Sequence, residues 1–249
     1  MSIWGKILGG AAGFAIGGPL GALMGALAGH AVDLVRTDET AGKKPPEEAI
    51  KSIAFTVGVI VLSAKMAKVD GTVKRVEIDT FKRLFHVPSD EMKNVGRVFD
   101  LARRDSAGFE VYARQIAALF EERHAVLEEL LASLLRIAEA DDEVHDAEMD
   151  YLRAIAAIFG FDDAEFRRIM AEHCVLCGKA ETDPYAVLGV NRGDDAAAIK
   201  AAYRRLVQEH HPDRLIAQGM PEEFVELAND KMAAINAAYD QIQKERQLA

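Results

Sequence analysis

The sequence predicts an all-α protein in three parts: a glycine-rich N-terminal transmembrane helix, a central helical bundle and a C-terminal helical hairpin. Apolar residues recur every three or four positions through residues 47–175, and no stretch there shows the alternation of a strand. A run without charge precedes this region, and the tripeptide His211-Pro212-Asp213 follows it between two amphipathic segments. Together these features predict helices throughout and no sheet.

The composition limits the classes of function that are open to the chain. It has 249 residues, half of them apolar, which is enough for one or two domains with a substantial core. Its formal net charge of −10 argues against nucleic acid as a partner. Two cysteines cannot form a disulfide framework, so we expect the chain in a reducing compartment.

Residues 1–36 are predicted to form a membrane anchor. No charged residue lies between Ile7 and Gly29, and a helix of that length reaches about 35 Å, enough for a hydrocarbon core of about 30 Å. No signal-peptide start or cleavage site is present, so we expect an uncleaved anchor. Basic residues are denser after the run than before it, which predicts a single pass with everything after it in the cytoplasm. The alternatives are a hairpin split at Gly18-Pro19 that lies in the interface, or a soluble glycine-rich helix pair.

Glycines recur at every fourth residue along this run. The last three, Gly21, Gly25 and Gly29, are flanked by large apolar side chains and form a seam where a second helix can approach closely. The seam predicts a homodimer through the anchor. The alternative is a monomeric anchor whose glycines only reflect its composition. Residues 37–46 form a predicted polar linker that is rich in turn residues.

The central part, residues 47–175, is predicted to consist of helices alone. Pro88 and Gly160 interrupt the helical pattern. The expected helices cover about 47–69, 74–86, 88–104, 107–121, 124–140, 145–159 and 162–174. This part therefore has the size of an ordinary helical domain.

An internal repeat in this part points to a divalent metal. Residues 65–84 align with residues 136–155, and each copy places acidic residues around a turn between two helices. If the copies pack about a pseudo-two-fold axis, four carboxylates converge: Asp70, Glu77, Asp141 and Glu148. Clustered oxygen ligands suit Ca²⁺ or Mg²⁺. The alternative is that these residues cap helices and favour the helix dipole.

The repeat resembles the TerB domain of tellurite-resistance proteins. The resemblance implies that the acidic positions are associated with a divalent metal. The chain lacks the alternating acidic pattern of an EF-hand, and Gly71 of the first copy is replaced by Asp142 in the second, so the two turns differ.

Cys174 and Cys177 form a C-x-x-C pair at the end of the central part. Such a pair can serve redox chemistry or supply half of a zinc site. Zinc needs four ligands, and His173 brings the number here to three; a thioredoxin-type pair would follow a strand, and none is predicted. We interpret the pair as a helix end with two incidental thiols. No Walker loop, nucleophile–base pair or cofactor fingerprint is present, so apart from a possible divalent metal we expect no cofactor and no enzyme.

The tripeptide His211-Pro212-Asp213 follows an amphipathic helix. The apolar stripe of that helix contains Ile199, Tyr203, Leu206 and His210. Its other face carries three basic residues: Lys200, Arg204 and Arg205. Because Pro212 cannot donate a backbone hydrogen bond and forces the preceding residue out of helical geometry, we expect the tripeptide at the start of a loop. A second stripe, predicted to pack on the first, contains Phe224, Ala228, Met232, Ile235, Tyr239 and Ile242.

This arrangement resembles a J-domain, the module by which DnaJ-type co-chaperones engage DnaK-type chaperones. The match covers residues 183–243 closely and residues 3–35 by pattern. The predicted J-domain is 183–249, after a short linker at 176–182. The segment LIAQGMPEEF after HHPD and a basic residue, the C-terminal position and an N-terminus reading WGKILG resemble the DjlA-type subclass, which implies a place in the bacterial inner membrane. The zinc repeats and the Gly/Phe-rich stretch of standard DnaJ proteins, which serve client binding, are absent.

The resemblance also implies a function. The tripeptide would contact the ATPase domain of a DnaK-type partner and stimulate its ATP hydrolysis, and the three basic residues would meet an acidic surface on that partner. The expected protein is a membrane-anchored co-chaperone. The alternative is a membrane protein that senses stress or a metal through the acidic site.

Overall fold

Within the part of the chain that the structure describes, every regular element is a helix. The computed structural model describes residues 20–21, 47–67, 75–84, 87, 89, 92–104, 108–121, 124–141, 144–176 and 183–247. The α-helices are α1 (Glu47–Met66), α2 (Arg75–Leu84), α3 (Met92–Arg104), α4 (Phe109–Leu119), α5 (His124–Ala138), α6 (Asp146–Phe159), α7 (Asp163–Leu176), α8 (Pro184–Leu188), α9 (Ala196–Glu209), α10 (Pro212–Ala217) and α11 (Val225–Gln247). Two 3₁₀ turns are Glu139–Asp141 and Glu222–Phe224. The all-α prediction is confirmed for these residues.

The helices predicted for the central part correspond to α1–α7, with bounds that differ by a few residues. α3 begins at Met92 rather than near residue 88, and α5 ends at Ala138, where the first 3₁₀ turn follows. α7 continues to Leu176, two residues beyond its predicted end. Gly160 ends α6 in the left-handed conformation, with φ 88°, which glycine adopts without steric cost.

The predicted anchor lies almost wholly outside the described residues. Gly25 and Gly29 are outside them, whereas Leu20 and Gly21 are described and both are buried. The Leu20 N–H donates a hydrogen bond to Gln115 Oε1 at 2.8 Å. Among the described ranges, none of the helices combines the length and the apolar character that crossing a membrane requires.

α1 is the central helix of the bundle that α1–α7 form. It contacts α3, α4 and α5, and it is buried throughout residues 53–67. A helix that is apolar nearly all round is stable only when its neighbours enclose it. The Tyr151 hydroxyl donates to the Leu62 carbonyl oxygen at 2.8 Å and ties α6 to α1. A Cβ atom at Gly58 would lie 2.8 Å from Ile116 Cδ1, so glycine allows α1 and α4 to approach closely.

The C-terminal unit, residues 183–247, contains α8–α11 and a core of its own. Asp183 caps α8 by accepting a hydrogen bond from the Tyr185 N–H at 3.3 Å, and Gly189 ends α8 with φ 63°. Asp195 caps α9 in the same way. α9 and α11 then pack around the buried residues Tyr185, Val187, Leu188, Ile199, Leu206, Ile235, Ala238 and Ile242.

The C-terminal unit also contributes to the core of the bundle. Five of its buried residues pack in the same cluster as the side chains of α1, α4 and α5: Leu215, Met220, Phe224, Leu227 and Ala228. The prediction that Phe224 and Ala228 pack on the stripe of α9 is therefore wrong, whereas it holds for Ile235 and Ile242. α11 is long enough to contribute to both cores. Its first turns pack in the core of the bundle, and the rest of the helix packs in the core of the C-terminal unit.

Candidate functional site

The tripeptide His211-Pro212-Asp213 begins a helix, α10, and the prediction that it starts a loop is wrong. His211 is the N-cap residue, with φ −62° and ψ 129°, and its Nδ1 accepts a hydrogen bond from the Asp213 N–H at 3.2 Å. Pro212 occupies the first helical position, where a missing N–H costs nothing because that donor has no partner within the helix. The proline that ends α9 therefore also begins α10.

The side chains of the first and third residues of the tripeptide face solvent. His211 exposes 53% of its side chain and Asp213 exposes 90%. Asp213 lies in the first turn of α10, so it is placed at a helix start. The turn between α9 and α10 thus presents a carboxylate that can accept hydrogen bonds from outside the chain.

α9 separates an apolar face from a basic one, as its sequence predicts. Ile199 and Leu206 are buried in the core of the C-terminal unit. The three basic residues predicted beside the tripeptide are all exposed on α9: Lys200, Arg204 and Arg205. The surface of α9 is therefore positively charged along the helix that leads into the tripeptide.

A cleft of about 410 Å³ lies between the bundle and the C-terminal unit, beside α9. Arg205, Glu209 and Arg214 line it from the C-terminal unit, and His124 and Glu165 line it from the bundle. Charged side chains of both signs therefore face each other across it. Any molecule that reaches Arg205 from this side also meets the bundle.

His210, the residue directly before the tripeptide, belongs to a largely buried group of charged side chains. We call this group the ionic cluster, and its members are Glu128, Glu129, Arg168, Glu172, His210 and Lys231. The Lys231 ammonium lies 3.4 Å from a Glu129 oxygen and 3.2 Å from a Glu172 oxygen, and it also pairs with Glu128. Arg168 pairs with Glu128 Oε2 at 2.6 Å and with Glu172.

The imidazole of His210 completes the ionic cluster. Its Nδ1 lies 3.2 Å from Glu129 Oε1, and its Nε2 lies 3.6 Å from Glu128 Oε1. His210 is 1% exposed. The residue that precedes the tripeptide is therefore held by two carboxylates of α5.

The ionic cluster favours the charged forms of Glu128, Glu129 and Lys231. Burial raises the pKa of Glu128, but attraction to Lys231, Arg168 and His210 outweighs burial and holds that pKa well below its ordinary value. For Glu129, attraction to Lys231 and His210 outweighs burial in the same way and lowers the pKa. Burial lowers the pKa of Lys231, yet the three surrounding carboxylates raise it overall.

The ionic cluster was missed by sequence reasoning. The spacing of His210 predicts only that it is buried with the apolar stripe of α9. The signal that the sequence does carry is the pair Glu128-Glu129 in the otherwise apolar run AVLEELLASLL, where a buried charge needs a partner. The partners of Glu128 lie 40 and 103 residues further along the chain, which no local pattern shows.

The residues of the predicted metal site are only partly described. Asp70 and the side chains of Glu77 and Asp141 lie outside the described residues. Glu148 is buried at the start of α6, where its Oε2 accepts a hydrogen bond from the His145 N–H at 3.0 Å; this is the capping role. Within the described ranges, no three His, Cys, Asp or Glu residues group as a metal site requires. Glu148 is the one candidate ligand of the four whose side chain the structure describes, so the metal site stays a prediction.

The C-x-x-C pair is only partly described. Cys174 is in the last turn of α7, in agreement with the helix-end interpretation, and Cys177 lies outside the described residues.

Family models match three successive regions of the chain. Residues 1–44 match the co-chaperone DjlA transmembrane domain, residues 56–171 match tellurite resistance protein TerB, and residues 183–248 match the DnaJ domain. The tripeptide and the basic face of α9 lie in the third region, and four members of the ionic cluster lie in or beside the second.

Curated proteins are similar to the chain over its full length. The co-chaperone protein DjlA of Yersinia pestis is 30% identical over 279 residues, which cover 99% of each chain. The co-chaperone protein DjlA of Photobacterium profundum is 29% identical, covering 98% of this chain and 99% of that protein. That of Vibrio vulnificus is 28% identical and covers 99% of each. No solved structure gives a significant match.

Proposed function

Because this chain belongs to the DjlA family of membrane-anchored J-domain co-chaperones, we propose that it binds a DnaK-type chaperone through the HPD turn and stimulates that partner's ATP hydrolysis. The HPD turn is the segment His211-Pro212-Asp213, and the J-domain is the matched region 183–248. The family is not enzymatic, so the hydrolysis takes place in the partner.

The observation that carries the proposal is the exposed carboxylate of Asp213 in the first turn of α10. A carboxylate in this position can accept charge-assisted hydrogen bonds from an arginine of the partner, and such bonds are short and about twice as strong as neutral ones. Among the described contacts within the chain, Asp213 Oδ2 lies 3.9 Å from His211 Nδ1, which is too far for a hydrogen bond, so the carboxylate can accept hydrogen bonds from a partner.

The basic face of α9 supports the same proposal. Lys200, Arg204 and Arg205 are exposed and lie on the helix that leads into the HPD turn. Positive charges on a rim steer association with an acidic surface and raise the association rate more than the final affinity. The basic face of α9 would therefore speed association with the partner, and the HPD turn would stimulate the partner's ATP hydrolysis.

The proposed mechanism is a shift of the partner's conformational equilibrium. A ligand can shift such an equilibrium only by as much as it binds one state better than the other. The HPD turn would bind the hydrolysis-competent state of the chaperone more tightly. The residues of this chain would bind the partner, orient it and neutralise its acidic surface. None of them would accept a proton or a phosphoryl group.

The test is a steady-state assay of ATP hydrolysis by a DnaK-type chaperone, with the full-length chain added in detergent over a range of concentrations. We expect a saturable, concentration-dependent increase in the rate. The chain alone, without the chaperone, serves as the control for contaminating ATPase. A rate that the chain does not change at any concentration refutes the proposal.

For the location, we propose a single pass through the bacterial inner membrane with residues 47–249 on the cytoplasmic side. The family shows a membrane anchor, and the density of basic residues after the apolar run supports this orientation. Cysteines placed at Ser2 and at Ala249 should label from opposite sides of the membrane in intact cells. Labelling of both from the same side contradicts a single pass.

We further propose that the anchor forms a homodimer through Gly21, Gly25 and Gly29. In lipid, helices associate through close packing, which needs small residues at the contact. Gly25→Leu should weaken association in a membrane assay, whereas Leu23→Ala, off the seam, should have a smaller effect. Equal effects of the two substitutions contradict the seam.

A further inference from the structure

The ionic cluster crosses the boundary between the two domains. Four of its members lie on α5 and α7 of the bundle α1–α7, which contains the TerB match and which we call the TerB-like domain, and two, His210 and Lys231, belong to the J-domain. Each of these two contacts Glu128 and Glu129. One pair of neighbouring glutamates on α5 therefore binds both the end of α9 and the second turn of α11.

His210 connects the ionic cluster to the HPD turn. It is the C-cap residue of α9, and its N–H donates to the Leu206 carbonyl oxygen at 2.9 Å. The next residue is His211, whose extended backbone redirects the chain into α10. Because no residue separates His210 from the turn, the direction of α10 depends on how the imidazole of His210 is held by Glu129.

The TerB-like domain also holds the chain just after the HPD turn. Leu215, two residues beyond Asp213, has no exposed surface and lies in the core of the bundle. Gly219 follows with φ 103°, and a Cβ atom there would lie 2.6 Å from Lys51 Cβ on α1. The chain is therefore fixed on both sides of a turn whose His211 and Asp213 side chains face solvent.

Ion pairs are a weak means of stabilising a buried contact, because the cost of removing both charges from water offsets much of their attraction. A fully paired buried network does define one geometry, since each charge is tolerated only opposite its partners. Lys231 meets three carboxylates at once. A shift of the J-domain against α5 would break several of these contacts together, so the ionic cluster specifies the orientation of the J-domain.

We propose that Glu129, supported by Glu128, is a positioning residue for the stimulation of the DnaK-type partner, and that it acts by holding the HPD turn in its productive direction through His210. This inference rests on the proposed function of the turn. Without the contact between Glu129 and His210, the HPD turn would have its productive direction in only a fraction of the molecules. The apparent affinity of the partner then falls by that fraction, while the rate at saturation does not change.

The experiment compares full-length variants for stimulation of a DnaK-type chaperone's ATP hydrolysis over a range of concentrations. Glu129→Gln keeps the side-chain volume and removes the charge opposite His210. Asp230→Asn removes the 3.2 Å ion pair with Arg136, which joins the same two helices, α5 and α11, without involving the turn. Glu121→Gln changes an exposed glutamate. Far-ultraviolet circular dichroism in the same buffer measures the folded fraction, which a purely structural role would change first.

We expect Glu129→Gln to raise the half-maximal concentration about fivefold, with the same plateau and folded fraction, and the two controls to stay within about twofold of the unsubstituted chain. An unchanged half-maximal concentration overturns the inference. An equal rise for Asp230→Asn also overturns it, because loosened docking of any kind would then suffice. A fall of the plateau alone contradicts it too.

One further variant and the result for the unsubstituted chain keep the test decisive. If Glu129→Gln is unfolded at the assay temperature, His210→Gln replaces the other partner of the same contact and carries the same expectation. If the unsubstituted chain does not stimulate the chaperone, the proposed function of the turn fails. The positioning inference alone fails when the unsubstituted chain stimulates and neither folded variant differs from it.

Discussion

Phe224 of the J-domain packs edge-on against Phe55 of α1, with the ring centroids 4.9 Å apart and the ring planes at 85°. Phe55 meets Phe120 in the same orientation at 6.4 Å. All three rings are buried. Edge-to-face pairs of this kind stabilise a core by about 0.5–1.5 kcal/mol beyond the area that they bury. The core of the TerB-like domain is therefore completed by a side chain of the J-domain.

Phe224→Ala should destabilise the bundle and the J-domain together. Removal of the ring leaves a cavity beside Phe55, and losses of this type cost about 3–5 kcal/mol in the free energy of unfolding. Urea unfolding measures the change. Val111→Ala, at an exposed position on α4, should change it by less than about 0.5 kcal/mol. An effect of Phe224→Ala as small as that of Val111→Ala contradicts the shared core.

Gly219→Ala should lower stability at the loop after α10. A side chain at φ 103° is strained, and the added Cβ would press on Lys51. Backbone strain and overpacking each cost about 1–3 kcal/mol. Gly193→Ala is the matched control, because a Cβ there meets no atom within 4 Å. Equal melting temperatures for the two variants would show that α1 does not press on this loop.

Lys231→Met should be strongly destabilising although methionine is apolar and similar in volume. The substitution leaves Glu128, Glu129 and Glu172 buried without their main counter-charge. Removal of one partner from a buried ion network costs about 3–5 kcal/mol. Lys244→Met, at an exposed position of α11, should be nearly neutral. If chemical unfolding gives the same stability for both variants, Lys231 does not balance the carboxylates.

The stability of the chain should decrease in acid through the ionic cluster. The folded-state pKa values of Glu128 and Glu129 are lowered, so at mildly acidic pH the unfolded state binds more protons than the folded one. Their contribution is complete above about pH 4.5 and is lost as the pH falls through the folded-state values. Melting temperatures between pH 7 and pH 3 measure the effect. Glu129→Gln should flatten the profile, and Glu121→Gln should leave it unchanged; identical profiles for all three proteins contradict the assignment.

Asp213→Asn should abolish stimulation of the DnaK-type partner while the protein stays folded. The substitution keeps the shape of the side chain and removes the charge that the partner would bind, and its exposed position limits the cost in stability to about 0.5 kcal/mol. The plateau of the ATPase assay is the measured quantity. Asp240→Asn, at an exposed site on α11, is the control. Full stimulation by folded Asp213→Asn would exclude the HPD turn as the contact.

Much of the J-domain can be predicted because its local structure depends on residues close in sequence. Asp195 caps α9, the spacing of Ile199 and Leu206 sets its buried face, and Pro212 ends it. The same reasoning locates the helices of the bundle. It does not show that Pro212 also begins α10, because a proline that ends one helix is equally suited to the first position of another.

The docking of the two domains could not be predicted from such patterns. Periodicity shows that a side chain is buried and not what it is buried against. His210 contacts Glu129, which lies 81 residues away in the sequence. Phe224 packs on Phe55 and not on the apolar stripe of α9 that its spacing suggests. The pair Glu128-Glu129 in an apolar helix is a sequence signal that buried counter-charges are required, but it does not show which cations supply them.

The contact between Gly219 and Lys51 also limits the height at which the HPD turn works above the lipid. Lys51 follows the predicted anchor region, residues 1–36, by fifteen residues, and a chain of that length reaches at most about 50 Å. The loop that closes α10 is therefore tethered within that radius of the end of the region. A chaperone that binds the turn as proposed would therefore work within that distance of the membrane anchor.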